Sequence, residues 1–365
     1  MGNSHNQISE HGAIAIRTEK PFYFAGDLVR GNIFLNICKA GYQGNIIQFT
    51  IVGKEKTEWD EGTGEDQRTY RGKNKFYSQT VPIYTFQNQV AQIGQYVFPF
   101  QFQLHPHLPG SFYQKNHGDY GYIYYKVKAK FTTTQPNKPN IRNKQEFIVR
   151  EPIKQMVISQ QQERTANLSI CCCINKGSSR VKSFCDKNHY LPGDTAQMTI
   201  EIDNSNCNLN IDYIEIELQK VLILRANTST HKYTQKILTQ RIPGVQARSQ
   251  QVGSQSRNIQ ITLLNQNNPQ IELTPTTNGK LVNQQYYLKV IPKFEGCICC
   301  SEKPVISFQI VMLYKIPPNY IQPLPQPSDW NPQTFEPVLI NFDQQSNMNI
   351  ANNNMQQNDP FISKQ

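Results

Sequence analysis

Few of the residue types that do covalent chemistry are spaced here to do it. Seven histidines are scattered along the chain, and none accompanies a nucleophile elbow, a zincin helix or a phosphate loop. His105-Pro106-His107 would need outside ligands to hold a metal and reads as a turn. Gly62-x-Gly64 sits in a charged stretch with no helix after it, so it is not a nucleotide site. Catalysis finds no support, and no cofactor or resident metal is expected. The spacings that do carry chemistry are recognition elements. Pro317-Pro318-Asn319-Tyr320 is a PPxY segment. Its prolines preset a polyproline II ribbon, so little entropy is lost in an aromatic groove of the WW-domain kind, and the Tyr320 ring fills a second pocket. The plainer reading is that prolines after a strand simply end it. Asp359-Pro360-Phe361 has the make-up of a ligand for clathrin-adaptor appendage domains, with Phe361 as anchor, Pro360 restricting the backbone and Asp359 capping the turn. Trp330 is either another exposed anchor or a residue that packs back on the body.

Cysteine offers a third constellation. Cys171, Cys172 and Cys173 form one cluster, and Cys297, Cys299 and Cys300 another. Three readings stand: packing as small hydrophobes, palmitoylation near a membrane-facing edge, or zinc. Neither cluster gives clean C-x₂₋₄-C spacing. Cys185 and Cys207 read as ordinary strand or turn residues. Gly2 opens a sequence like the N-myristoylation acceptor, with Asn6 where that pattern has Ser or Thr.

Bulk properties narrow the setting. The polar start, MGNSHNQISEHG, is not a secretory signal peptide, and no run approaches the about 18 apolar residues of a membrane span. Nine cysteines, an odd count, argue against a disulfide framework. A cytoplasmic protein is expected. The net charge is +10 with a pI near 9.0, yet no Lys/Arg block of nucleic-acid type occurs. The positive charge is dispersed along the strands and reads as solvated surface, with attraction to the anionic cytoplasmic leaflet as the minor reading.

The elements that must position these motifs are strands. The stretch 20–37, KPFYFAGDLVRGNIFLNI, reads as strand, turn, strand. It returns 167 positions later: Tyr23-x-x-Gly26-Asp27 is echoed by Tyr190-x-x-Gly193-Asp194, and Ile33 and Leu35 map onto Ile200 and Ile202. A long-period echo of one unit implies two copies of one domain. Tyr96, Phe98, Phe100 and Phe102 alternate in GQYVFPFQFQL (94–104), and Pro99 places that strand at an edge or a bulge. DEGTGEDQRTYRGKNK (60–75) suits a solvated loop, and 227–268 suggests long hairpin loops. Divided by composition, the chain gives a mobile start (1–12), a first domain (13–152), a Gln-rich linker (153–167), a second domain (168–316) and a disordered Pro/Asn/Gln-rich tail (317–365).

GKEKTEW (53–59), GQYVFPFQFQL, LPGSF (108–112) and HGDYGYIYYKVKA (117–129), taken in order, resemble the arrestin N-terminal domain. Cys171-Cys172-Cys173, the second Tyr-x-x-Gly-Asp and EIDNSNCNLNIDYIEIEL (201–218) are similar to the start of the arrestin C-terminal domain, with YYLKV (286–290) and VISFQIVML (305–313) as its last strands. The nearest look is to the α-arrestin branch. The resemblance implies an all-β chain of two arrestin-like, immunoglobulin-like β-sandwiches in tandem. It further implies a non-enzymatic adaptor that joins membrane receptors or transporters, as cargo, to HECT-type ubiquitin ligases carrying WW domains, or to endocytic coats. Such an adaptor works in the cytoplasm, peripherally at the plasma membrane or endosomes, and binds no nucleic acid. The charged core by which receptor-binding arrestins sense phosphates is not placed on this sequence. Two rivals are a retromer-like subunit of a stable sorting coat and a metal- or redox-responsive regulator on the same fold.

Overall fold

The computed structural model describes residues 9–87, 90–116, 119–136, 138–153, 156–170, 174–296, 298, 302–314 and 330–341. The first half is built from β1 (Gly12–Thr18), β2 (Phe22–Phe24), β3 (Leu28–Ile37), β4 (Gly44–Glu61), β5 (Arg68–Thr85), β6 (Gly94–Gln103), β7 (Phe112–Asn116), β8 (Asp119–Thr133) and β9 (Ile141–Arg150). One sheet runs β1-β3-β6; the facing sheet runs β2-β9-β8-β4-β5, with β7 on β8. The period-2 alternation is the cause. Val29, Ile33 and Leu35 of β3 point inward, as do Ile123, Tyr125, Val127, Ala129 and Phe131 of β8. The aromatic face of β6 is wholly buried, with the Phe49 ring 4.9 Å from Phe100 and 5.5 Å from Phe102.

The second half repeats this plan. Its strands are β10 (Gln160–Ile170), β11 (Ile174–Cys185), β12 (His189–Tyr190), β13 (Thr195–Asp203), β14 (Ile211–Ala226), β15 (Ser229–Val245), β16 (Gln250–Gln251), β17 (Arg257–Thr262), β18 (Thr277–Asn278), β19 (Val282–Phe294) and β20 (Ile306–Met312). One sheet orders β10-β11-β13 with β16 and β17; the other orders β12-β20-β19-β14-β15 with β18 on β19. The latter repeats β2-β9-β8-β4-β5 strand for strand. The echo seen in the sequence is one turn built twice. Gly26 (φ 95°) and Gly193 (φ 89°) both take the left-handed conformation. Asp27 Oδ2 accepts from Phe24 N at 2.8 Å, and Asp194 Oδ2 from Leu191 N at 3.0 Å. Both turns then anchor the next strand: Leu104 N donates to Asp27 O and Leu263 N to Asp194 O. Tyr23 and Tyr190 are buried, and β2 and β12 each pair in parallel with the last strand of their half.

The structure departs from the sequence reading in four stretches. The charged stretch 60–75 is not a loop: β4 and β5 run through it as one long hairpin, leaving only a short turn near Gly64–Asp66. Tertiary burial explains this, since Trp59 and Thr57 face the second half and are covered. From Gln160 the expected linker is an edge strand, β10. Its glutamines alternate toward the facing sheet, where Gln160 Nε2 donates to Gln309 O (3.2 Å) and Gln162 Nε2 to Ser307 O (3.0 Å). Residues 229–245 form β15, paired along its length with β14 rather than looping out. Within the segment read as tail, β21 (Gln333–Thr334) and β22 (Val338–Ile340) add in parallel to the free edge of β6. Pro99 falls between the residues these two strands pair with, so its missing N–H interrupts the added ladder where the tail itself has a break.

Candidate functional site

Of the candidate recognition and cysteine residues singled out, Trp330, Cys185 and Cys207 are among the described residues. Gly2, Cys171, Cys172, Cys173, Cys297, Cys299, Cys300, Pro317, Pro318, Tyr320, Asp359, Pro360 and Phe361 lie outside the described residues. Their flanks are placed. Ile170 and Gly296 are neighbours, with the Ile170 side chain 3.5 Å from where a Cβ on Gly296 would stand. Among the described residues no group of His, Cys, Asp and Glu could hold a metal. The described part of the tail brackets 315–329: Tyr314 lies under the Arg150 guanidinium, 3.5 Å from ring centroid to Cζ, and Trp330 packs edge-on against Phe34.

Trp330 thus packs back on the body. Phe335, which the sequence reading left within the tail, stacks on Phe98 (centroids 4.7 Å, rings 9° apart) and reaches Tyr84 at 4.5 Å. Ile340 is 3 % exposed. Backbone and side-chain bonds fix the register: Phe335 N donates to Val97 O (3.0 Å) and Asn331 N to Gln95 Oε1 (2.9 Å). This is strand addition, in which main-chain bonds supply affinity and alternate side chains supply specificity. The signal was available in the sequence, as Phe335, Val338 and Ile340 amid polar residues, but its Pro- and Asn-rich surroundings hid it.

The joint between the halves is the second structured site. Leu222, Leu224, Ala226, Leu281 and Val282 of the second half belong to the apolar core of the first. At its centre the Glu55 carboxylate, 1 % exposed, accepts from Lys280 N (3.0 Å) and Leu281 N (2.6 Å). Burial pushes its pKa up to about 7, against the opposing pull of those two backbone N–H groups. Thr57 Oγ1 donates to Arg225 O at 2.6 Å. Gly72 and Gly121 permit the approach, because a Cβ at Gly72 would meet Arg225 O at 2.6 Å and one at Gly121 would meet Leu224 Cδ2 at 2.9 Å. On another side Glu151 Oε1 accepts from Gly110 N, Asn278 N and Thr277 Oγ1. Sequence reasoning missed Glu55: within GKEKTEW it looks like any strand-surface acid.

Beside this joint lies an open cavity of about 580 Å³. It is walled by Arg150 and Glu151 from one half, Asn188 and Thr276 from the other, and apolar Ile158 and Val311.

Two sandwiches that share the strand order of one sheet, packed together through a buried joint, narrow the family sharply. Residues 13–155 match the family described as arrestin (or S-antigen), N-terminal domain, and residues 175–318 match its C-terminal domain. The chain belongs to the arrestin family. It is similar to arrestin domain-containing protein A of Dictyostelium discoideum, 25 % identical over 214 residues, which is 54 % of this chain and 36 % of that protein. It is similar to human arrestin domain-containing protein 5, 23 % identical over 51 % of this chain and 55 % of that protein. Arrestin domain-containing protein B of Dictyostelium discoideum is 20 % identical over 87 % of this chain and 49 % of its own length. The chain therefore spans between about a third and about a half of the curated relatives it matches. These relatives are all named arrestin domain-containing proteins, the α-arrestin type. No helix among the described residues is long and apolar enough to cross a membrane.

Proposed function

We propose that this α-arrestin is a non-enzymatic trafficking adaptor. In this reading the two sandwiches contact membrane cargo. Pro317, Pro318 and Tyr320 recruit a WW-domain ubiquitin ligase of the HECT type, and Asp359, Pro360 and Phe361 recruit clathrin adaptors. The protein works in the cytoplasm and touches the plasma membrane or endosomes peripherally. The observation that carries the reading is the pairing of tandem arrestin domains with a PPxY segment directly after the last strand of the second. A rigid two-lobed body and a short recognition peptide are what bridging two partners requires. The buried joint supports rigidity, and the Tyr314 and Trp330 contacts hold the flanks of 315–329 against the body.

The test is affinity capture from cell lysate, read by mass spectrometry, on the full chain and on Tyr320→Ala and Phe361→Ala. Tyr320→Ala should lose a WW-domain ligase at least tenfold, since the ring fills one of two pockets. Phe361→Ala should lose coat-adaptor subunits and keep the ligase. An identical partner set for all three proteins would refute the tail-recruitment reading and favour a stable-coat subunit.

A further inference from the structure

The corner turn that the chain repeats borders the cavity beside the joint from both halves. Phe24 lies across from Arg150 in the β2–β9 pair. Leu191 follows Tyr190, whose carbonyl accepts from Leu313 N (2.8 Å) as β12 runs beside β20. Phe24, Arg150, Leu191 and Leu313 all line the cavity, so the same corner of each half forms one side of it. The two sides differ in chemistry. Glu151 continues the first, and Tyr314 continues the second. Phe24, Ile153, Ile158 and Leu191 are exposed, and so are Met156 and Val157 beside Ile158. Exposed apolar side chains gathered in one place mark an interaction site, as single scattered ones do not.

Two buried side chains of this wall keep an acceptor without a partner among the described residues. His189 is 4 % exposed, and its Nδ1 lies 2.8 Å from Asn188 Oδ1. That carboxamide is held from both ends: Oδ1 accepts from Ile158 N (3.0 Å) and Nδ2 donates to Met156 O (3.3 Å). Its orientation fixes the His189 tautomer, with the proton on Nδ1 and a lone pair on Nε2. Burial lowers the His189 pKa, so the ring is neutral at pH 7. Asn283, 5 % exposed, donates Nδ2 to Asn278 Oδ1 and leaves its own Oδ1 unpaired. A buried acceptor of this kind calls for a donor. The charged groups on the described wall are one cation, Arg150, and one anion, Glu151, in a chain whose net charge is +10.

We propose that this cleft binds an extended, uncharged peptide segment of a partner protein, with an aliphatic or aromatic side chain seated between Phe24 and Leu191. An extended main chain brings a donor and an acceptor with every residue, about 3.3 Å apart, and no charge. Its N–H groups satisfy His189 Nε2 and Asn283 Oδ1. Gln285 and Gln309 on the same wall carry carboxamides, which match peptide groups as both donor and acceptor. An acidic or phosphorylated segment would need cations in excess, and a basic one would need acids in excess; the wall has neither. The volume of about 580 Å³ falls within the range of about 300–1,000 Å³ that binding pockets span.

The cleft deepens the adaptor reading, in which the body holds one partner while the tail holds another, and rests on it. Its test uses neither tail motif, so its failure leaves the capture experiment untouched. A phage-displayed library of random dodecapeptides is panned on the immobilised full chain, and enriched sequences are made as free peptides and titrated by calorimetry. They should share an uncharged core that carries Leu, Ile or Phe. Leu191→Glu and Ile158→Glu should each weaken binding at least tenfold. Both side chains are exposed, so both variants should melt with the wild type. His189→Phe, which places there the residue type of its counterpart Phe22, should weaken binding about fivefold and keep the apolar preference. The control Ile174→Glu, an exposed apolar residue at the start of β11, should bind within twofold of the wild type. Enrichment of charged sequences only, no enrichment over the library background, or peptides indifferent to Leu191→Glu and Ile158→Glu would overturn the proposal. So would binding that tightens tenfold once residues 315–329 are replaced by a Gly-Ser linker of equal length, because the chain's own segment would then be the occupant.

Discussion

Replacing Glu55 with alanine should destabilise the two-domain body by about 4 kcal/mol. The carboxylate accepts from Leu281 N in a buried hydrogen bond and from Lys280 N in a half-buried one. Each buried donor left without an acceptor costs about 1–3 kcal/mol, before the cavity is counted. Urea unfolding followed by tryptophan fluorescence reads this well, because Trp59 sits two strand positions beyond Thr57 at the same joint, stacked between Tyr70 and His231. Glu55→Gln tests the charge itself. Burial raises the folded pKa of Glu55 to about 7, well above the usual carboxylate range. A raised carboxyl pKa contributes stability fully below the unfolded pKa, and that contribution is lost as pH rises through the folded value. Between about pH 4.5 and pH 8 the wild type should therefore lose about 3 kcal/mol relative to the glutamine variant. A pH-independent difference between the two proteins would mean that the joint is insensitive to this proton.

Phe335→Ala with Ile340→Ala should release the docked tail while leaving both sandwiches folded. Phe335 is half-buried and Ile340 fully buried against the β6 face, so their truncation removes about 4 kcal/mol together. Two short strands hold few other contacts, and that loss exceeds what such a local element is expected to keep in reserve. Hydrogen exchange at the Phe335 N–H, which donates to Val97 O, should accelerate by about a thousandfold. Protease cleavage within 330–341 should speed up in step, with the main unfolding transition moved little. Unchanged exchange would show that the strands are held by backbone pairing alone. Release also bares the β6 edge, a row of unpaired groups open to another strand.

The two effects concern different parts of the protein. The Glu55 joint fixes how the lobes stand to each other, because the first core extends into the second half through Leu222, Leu224 and Val282. The β6 edge concerns the chain beyond the body, since it anchors the segment that follows Pro317 and Tyr320 in sequence.

By itself the sequence determined the all-β class and the duplication. Strand alternation has a period of two residues and turns need glycine at positive φ, so Gly26-Asp27 and Gly193-Asp194 marked the same corner twice and the inward residues Ile33, Leu35, Ile200 and Ile202 could be read from one stretch. These are local properties, set within a few residues. It also held the segments proposed as recognition motifs, each four or three consecutive residues. Tertiary structure alone decided the rest, because each remaining feature depends on which strand lies beside which. Phe24 and Leu191 stand 167 positions apart and become two sides of one cleft only because the halves meet at their corner turns. Glu55 becomes a buried acceptor only because residues 280 and 281 fold over it. Phe335 becomes a core residue only because Phe98 stands at a sheet edge with room for a further strand. Polar composition at 160–167 and 333–340 signalled linker and tail, and burial against a distant partner overrode it.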